Sequence, residues 1–273
     1  MEVIILGSGS PLPHPERAGP STLVRAAGSD FLFDCGRGVL MRAAAVPLLP
    51  VSLKMVLLTH LHSDHVSDFN DVVTTRWVMS PAPNPLAVIG PVGTRKFVEA
   101  TLRAMESDIG YRLAHHQDLN TRPELITEEV ERGVVFENGP VKIIAAPTDH
   151  RPVHPSLGFR IEAEGKSIVI AGDTIPCEGL DRLCRDADVL IQTVIRRSLV
   201  EAVPSQRFKD ILDYHSTTVD AGRTAARCRV KTLLLNHCVP TPAPGTEEDW
   251  MAEAANHFTG KILISYDLLK ITL

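Results

Sequence analysis

The chain has 273 residues, of which 44% are apolar and 22% charged, with a formal net charge of -5 at pH 7. That apolar share suffices for a sizeable core in one domain over residues 1–273, and no run of about eighteen or more apolar residues is present to span a membrane. The mild acidic balance offers no basic stripe to draw nucleic acid, and Cys35, Cys177, Cys184, Cys228 and Cys238 lack CxxC spacing, as expected of reduced thiols in a cytoplasmic protein.

Val3, Ile4, Ile5 and Leu6 predict a first strand over 3–6. With no basic segment before it and no small-residue cleavage site after it, this run does not read as a secretion signal. Leu6-Gly7-Ser8-Gly9-Ser10-Pro11 resembles a dinucleotide-binding turn only superficially, because Pro11 and Pro13 stand where a helix should begin and a third glycine is missing. Apolar, β-branched runs predict further strands at 31–33, 55–58, 87–89, 141–145, 167–171, 189–191, 232–235 and 261–264. Helical spacing predicts helices over 94–105, 179–186, 219–228 and 247–258. Strands and helices mixed over the whole length favour an α/β layered fold, since each sheet must cover an apolar face. The proline-rich stretches 81–85 and 240–245 read as stiff loops without a shift in composition, so neither marks a domain boundary, and no repeat is visible. Arg196-Arg197 reads as a solvated turn.

The strand ending near Thr59 delivers His60, His62, Asp64 and His65 into the turn that follows, four potential ligands within six residues. Imidazole nitrogens and carboxylate oxygens are ligands zinc accepts, and desolvating four such groups without a cation would be costly. Three more candidates sit at strand ends: His150, Asp173 in Ala171-Gly172-Asp173-Thr174, and His237. Taken singly, they have ordinary readings as loop histidines and a turn-forming aspartate. Their common placement favours one shared site.

His-x-His-x-Asp-His, followed by His150, Asp173 and His237, resembles the metallo-β-lactamase superfamily over nearly the whole chain. The resemblance implies a four-layer αββα sandwich with two zinc ions per chain. One zinc would take His60, His62 and His150, the other Asp64, His65 and His237, with Asp173 bridging both. Asp34, in Phe33-Asp34-Cys35-Gly36, would orient ligands without binding metal. True β-lactamases of this fold generally lack the second-metal histidine pattern found here, which argues against antibiotic hydrolysis. Tyr214-His215-Ser216-Thr217 resembles the ribonuclease Z branch, in which the equivalent of His215 is catalytic and binds no metal. Thr217 and Asp220 have the spacing of a capping box that would hold His215 just outside a helix. The N-terminal loop through Arg17-Ala18-Gly19-Pro20-Ser21 is similar to that of ribonuclease Z-like proteins and their zinc arylsulfatase relatives.

Two departures from that branch stand out. Its His-Glu-Ala-Thr segment would fall at Ile191-Gln192-Thr193-Val194, which leaves His215 without its expected carboxylate partner. Many members carry a protruding tRNA-gripping arm between the motifs of His150 and Asp173, but only 23 positions (173 − 150) separate them here. RNA binding is therefore expected to be weak and salt-dependent, with small phosphodiesters competitive as substrates. The implied chemistry is hydrolysis by a metal-activated water, with Asp64 orienting or deprotonating it and His215, if protonated, stabilising the anionic centre or protonating the leaving oxygen. A phosphodiesterase acting on an RNA 3′ end or a small phosphodiester is the leading expectation. An arylsulfatase-like ester hydrolase is the alternative, and a non-enzymatic metal-binding module is disfavoured because every candidate position is filled. The resemblance also implies a homodimer.

Overall fold

A computed structural model describes residues 1–273. The chain builds two seven-stranded sheets. The first contains β1 (Glu2–Gly7), β2 (Ser21–Ala26), β3 (Ser29–Phe33), β4 (Leu53–Leu57), β5 (Leu86–Gly90) and β6 (Leu125–Glu129), with β14 (Lys270–Thr272) beside β1. The second contains β7 (Gly133–Asn138), β8 (Val141–Pro147), β9 (Leu157–Ala163), β10 (Lys166–Ile170), β11 (Val189–Ile195), β12 (Thr232–Val239) and β13 (Lys261–Ile264), hydrogen-bonded in chain order with β7 and β13 at the two edges. Each sheet begins as an antiparallel meander and continues in parallel, through β3-β4-β5-β6 in one and β10-β11-β12-β13 in the other.

Period-two alternation explains how the layers form. Val3 and Ile5 of β1, Phe31 and Phe33 of β3, and Met55 and Leu57 of β4 face the second sheet, where they share one core with Ile143, Phe159, Ile168 and Leu234. The rings of Phe33 and Phe159 meet across the layers at 5.8 Å. The alternate residues Ile4, Leu6, Leu32 and Val56 pack instead under α1 (Val39–Ala45), α3 (Phe69–Met79) and α4 (Thr94–Ala104). On the opposite side, Leu190, Leu233 and Leu235 pack under α6 (Glu178–Cys184), α9 (Thr218–Arg227) and α10 (Glu247–Ala255), with Trp250 fully buried. Strands covered on both faces are apolar at nearly every position, which is why they read as continuous runs. The fold is the expected αββα sandwich, and no helix is long and apolar enough to cross a membrane.

Some boundaries differ from the expectation. The strand at 232–235 continues to Val239, so that His237 lies inside β12, in a left-handed backbone conformation (φ 49°), rather than after its end. Asp64 and His65 lie in the short helix α2 (Ser63–Val66), not in an open turn. β9 and β10 are joined by the two-residue turn Glu164-Gly165, both residues at positive φ, so no arm projects there.

The stiff loop at 81–85 is held by Arg76, on the buried side of α3. Its guanidinium donates to the carbonyls of Pro50 (2.7 Å), Leu53 (2.9 Å), Asn84 (3.0 Å) and Pro85 (3.1 Å) and to Asn84 Oδ1 (2.7 Å). No carboxylate pairs with it. Arg76→Met keeps the apolar stem and removes the donor shared by these oxygens and the Val51 carbonyl (3.3 Å), so urea unfolding should show a loss of about 3 kcal/mol. A loss below about 1 kcal/mol would mean that water replaces the guanidinium.

Candidate metal centre

The site lies where strands of both sheets end, the position at which open α/β sheets present their loops. β4 runs into Thr59, whose backbone N–H and hydroxyl both donate to Asp34, at 2.8 Å each. The carboxylate of Asp34 also meets His65 Nδ1 at 2.8 Å. One buried aspartate at the end of β3 thus sets the β4 exit and the ring of His65, the orienting contact expected of it. Gly172 precedes Asp173 with φ 64°, and a Cβ there would come within 2.9 Å of the Thr59 side chain. Only glycine lets the β10 exit pass this close to that of β4.

All seven candidate ligands converge, in two groups whose ligand atoms lie within 4.8 Å of one another: His60, His62, His150 and Asp173; and Asp64, His65 and His237. Asp173 lies between them. Its Oδ2 is 3.9 Å from Nε2 of both His60 and His150 and 3.7 Å from His237 Nε2, while its Oδ1 is 3.6 Å from His65 Nε2. Several rings are fixed from behind, His60 Nδ1 by the Thr59 hydroxyl (3.0 Å) and His150 Nδ1 by the Tyr214 carbonyl (2.9 Å). These contacts turn Nε2 toward the centre, as outer partners do for metal-binding histidines. Nε2 of His60 and of His65 and Nδ1 of His237 are buried without a hydrogen-bond partner. The unpaired Nε2 atoms of His60 and His65, beside the shared carboxylate of Asp173, fit a bound cation, which would satisfy them together, while His237 turns its Nε2 inward to Asp64 and Asp173.

The electrostatics agree with that donor set. Burial pushes the carboxyl of Asp173 up, but His237 and His65 overcome it and hold the group well below the usual carboxylate range. Asp64 is likewise lowered, burial being outweighed by its hydrogen bond from His237, at 3.1 Å, and by His65. Burial, then the neighbouring His65, drives His60 well below its ordinary value; burial and His150 lower His62. Burial opposes protonation of His65 and His237 as well, yet Asp173 with Asp34 raises the former and Asp173 with Asp64 the latter.

His215 stands just before α9, which the Thr217–Asp220 capping box starts as expected. Its ring lies 4.9 Å from that of His150, its Nδ1 is 3.8 Å from Asp173 Oδ2, and that nitrogen has no hydrogen-bond partner. Burial pushes its pKa down to about 3, against the pull of Asp173, so the imidazole is neutral at pH 7. In the segment where the glutamate is missing, Gln192 donates its amide to Ser216 Oγ at 3.3 Å and Thr193 donates its hydroxyl to Asp173 Oδ1 at 2.8 Å, so neither brings a carboxylate to His215. Arg196 is tied to Glu253 (2.7 Å) and Asp249 (3.4 Å), and Arg197 to Glu201 (3.4 Å), so neither forms a free basic patch. A cleft of about 310 Å³ opens beside His62, Asp173, His215 and His237, walled by Pro11 and Leu12 of the N-terminal loop and by the segment from Ser205 to Tyr214. No sequence pattern singles out that segment.

Fold and site together define a metal-dependent hydrolase of the β-lactamase superfamily, and the family model described as "Beta-lactamase superfamily domain" matches residues 30–238. Ribonuclease Z of Mycolicibacterium gilvum (strain PYR-GCK) is 55% identical over 99% of this chain and 96% of its own length; Ribonuclease Z of Mycobacterium bovis (strain BCG / Pasteur 1173P2) is 54% identical over 99% and 98%. The chain belongs to the ribonuclease Z family. Among solved structures, the metallo-β-lactamase fold protein YhfI from Bacillus subtilis superposes with TM-score 0.76 at 20% identity, covering 99% of this chain and 98% of that one. Human tRNase Z, short form, superposes with TM-score 0.74 at 24% identity, covering 100% and 99%. These two likenesses bear on the fold.

Proposed function

We propose that the chain is an endoribonuclease that carries two zinc ions and hydrolyses a phosphodiester near the 3′ end of precursor tRNA. The observation that carries this reading is identity above half, over 99% of the chain, to proteins named Ribonuclease Z, in a chain whose candidate ligands form two adjoining groups. His60, His62 and His150 would hold one zinc, Asp64, His65 and His237 the other, with Asp173 shared. Zinc bound there acidifies a water and offsets charge on a phosphoryl oxygen. Asp64, held anionic, orients the attacking water and accepts its proton. Neutral His215 suits hydrogen bonding to a phosphoryl oxygen better than proton donation to the leaving oxygen. The pairing of five free cysteines with an RNA substrate supports action in the cytoplasm.

The test is a metal-quantified preparation given precursor tRNA, bis(p-nitrophenyl) phosphate and an aryl sulfate. Expected are one defined cut at the tRNA 3′ side, hydrolysis of the small phosphodiester, and an inert sulfate ester. With no arm between β9 and β10, precursor binding should weaken steeply with salt. Hydrolysis of the small diester with no cut in tRNA would shift the reading to a small phosphodiester, and turnover of aryl sulfate alone would shift it to the sulfatase-like alternative.

A further inference from the structure

We infer that Arg207, Phe208 and Tyr214 form a nucleotide subsite beside the metal centre, receiving one nucleoside of the substrate and the backbone phosphate next to the scissile one. The inference rests on reading the centre as a phosphodiesterase. The three residues belong to one segment, which includes α7 (Arg197–Ala202) and α8 (Gln206–Lys209), and all line the cleft that also exposes His62, Asp173, His215 and His237. Whatever occupies this cleft is therefore continuous with a group held at the metals.

The chemistry of the cleft is selective. Arg207 is the only lysine or arginine on its walls, is exposed, and has no carboxylate within ion-pairing distance, unlike Arg196 and Arg197 on the same segment. An unpaired guanidinium beside an apolar wall recognises a phosphate through parallel N–H donors. The wall is aromatic. Phe208 is half-buried and packs against Ile195, Val200 and Val239, which hold it in place, while the Tyr214 ring lies 5.3 Å from that of His150 and 5.0 Å from that of His215. The hydroxyl of Ser205 accepts a hydrogen bond from the Phe208 N–H at 3.4 Å and caps α8, giving the cation and the ring one rigid support. At about 310 Å³ the cleft is at the small end of ligand sites, suited to one nucleoside rather than a stacked run. Flat, rigid aromatic surface with one cation is how proteins hold single-stranded nucleotides without reading their sequence.

The probes are adenosine 3′,5′-bisphosphate, which offers both phosphates, and 5′-AMP, which offers one. Both are titrated calorimetrically into the zinc-loaded protein at matched ionic strength. The bisphosphate should bind at least about tenfold more tightly than AMP, and Arg207→Gln should abolish most of that difference. Lys209→Gln, a neighbouring cation outside the cleft, should leave the difference intact. Phe208→Leu keeps the packing against Val200 but not the flat ring, and should weaken both nucleotides at least about fivefold without changing their ratio. Equal affinities for the two nucleotides in the wild type, an unchanged ratio in R207Q, or the same loss in K209Q would overturn the subsite. Because binding is read without turnover, this pattern in a protein that failed to cut tRNA would support the subsite while refuting the endonuclease. A protein that cut tRNA but bound both nucleotides alike in wild type and R207Q would refute the subsite alone.

Discussion

His62→Ala should reduce bound zinc from about two ions per chain to one or fewer and lower phosphodiester hydrolysis by more than about 10²-fold, exceeding the loss expected for a residue that only supports a ligand. His62 is the candidate ligand best suited to the test. It is the only one of the seven that is not fully buried, and it precedes α2 on the loop from β4. Truncating it leaves no sealed cavity, so the melting temperature of the metal-free protein should barely change while metal content falls. Asp34→Asn makes the comparison. It keeps an acceptor for Thr59 but weakens the contact to His65 Nδ1, so it should cost about 10–100-fold in zinc affinity, recoverable in excess zinc. A His62→Ala protein with full zinc and full activity would remove His62 from the ligand set.

Much of the fold and nearly all of the centre were legible in the sequence, for different reasons. β1, β4, β11 and β12 are covered on both faces, and burial on both sides writes an unbroken apolar run. β9 faces the inner core with Leu157, Phe159, Ile161 and Ala163 and carries Gly158, Arg160 and Glu162 between them, so a search for unbroken runs passes over a strand that alternation would have found. α3 buries Phe69, Val72, Val73, Arg76 and Trp77, a regular helical stripe, but an arginine sits within it. That residue reads as solvent-facing until its carbonyl partners, up to 26 positions away, are seen. The edge strands β6 and β7 have no comparable apolar signal because none of their residues is buried.

In the centre, the candidate ligands were legible because rare residue types cluster after strands. The proximity of β4, β8, β10 and β12 that joins them is tertiary, and the division into two groups came from the family resemblance. Sequence placed His237 after its strand, since a positive φ inside β12 leaves no local mark on a histidine. It also showed where the supporting glutamate is missing, but not that Gln192 would donate to Ser216 and Thr193 to Asp173. The cleft was not legible at all. Arg207 and Phe208 gain meaning only when the segment before α9 folds back over Val239.

His215→Ala should keep its metal and its KM for bis(p-nitrophenyl) phosphate and lose about 10²-fold in kcat, the range found on removing one hydrogen-bond donor to a developing oxyanion. Metal is retained because His215 lies outside both ligand groups, and its nearest carboxylate contact, Asp173 Oδ2, is at 3.8 Å. The loss should stay near the low end of general acid–base effects because no carboxylate supports the ring where the glutamate is missing, and Thr193 is engaged with Asp173. The pH profile separates two roles. A proton donor with pKa about 3 would be active only below that pH, its contribution fading as pH rises through it. A neutral hydrogen-bond donor has the opposite sign, being complete above that pKa and lost only on acidification through it. Between about pH 6 and 8 the wild type and His215→Ala should therefore give parallel kcat profiles, offset by a constant factor. A descending limb near neutrality in the wild type that disappears in His215→Ala would show instead that His215 acts as an imidazolium acid, with the anionic substrate raising its proton affinity.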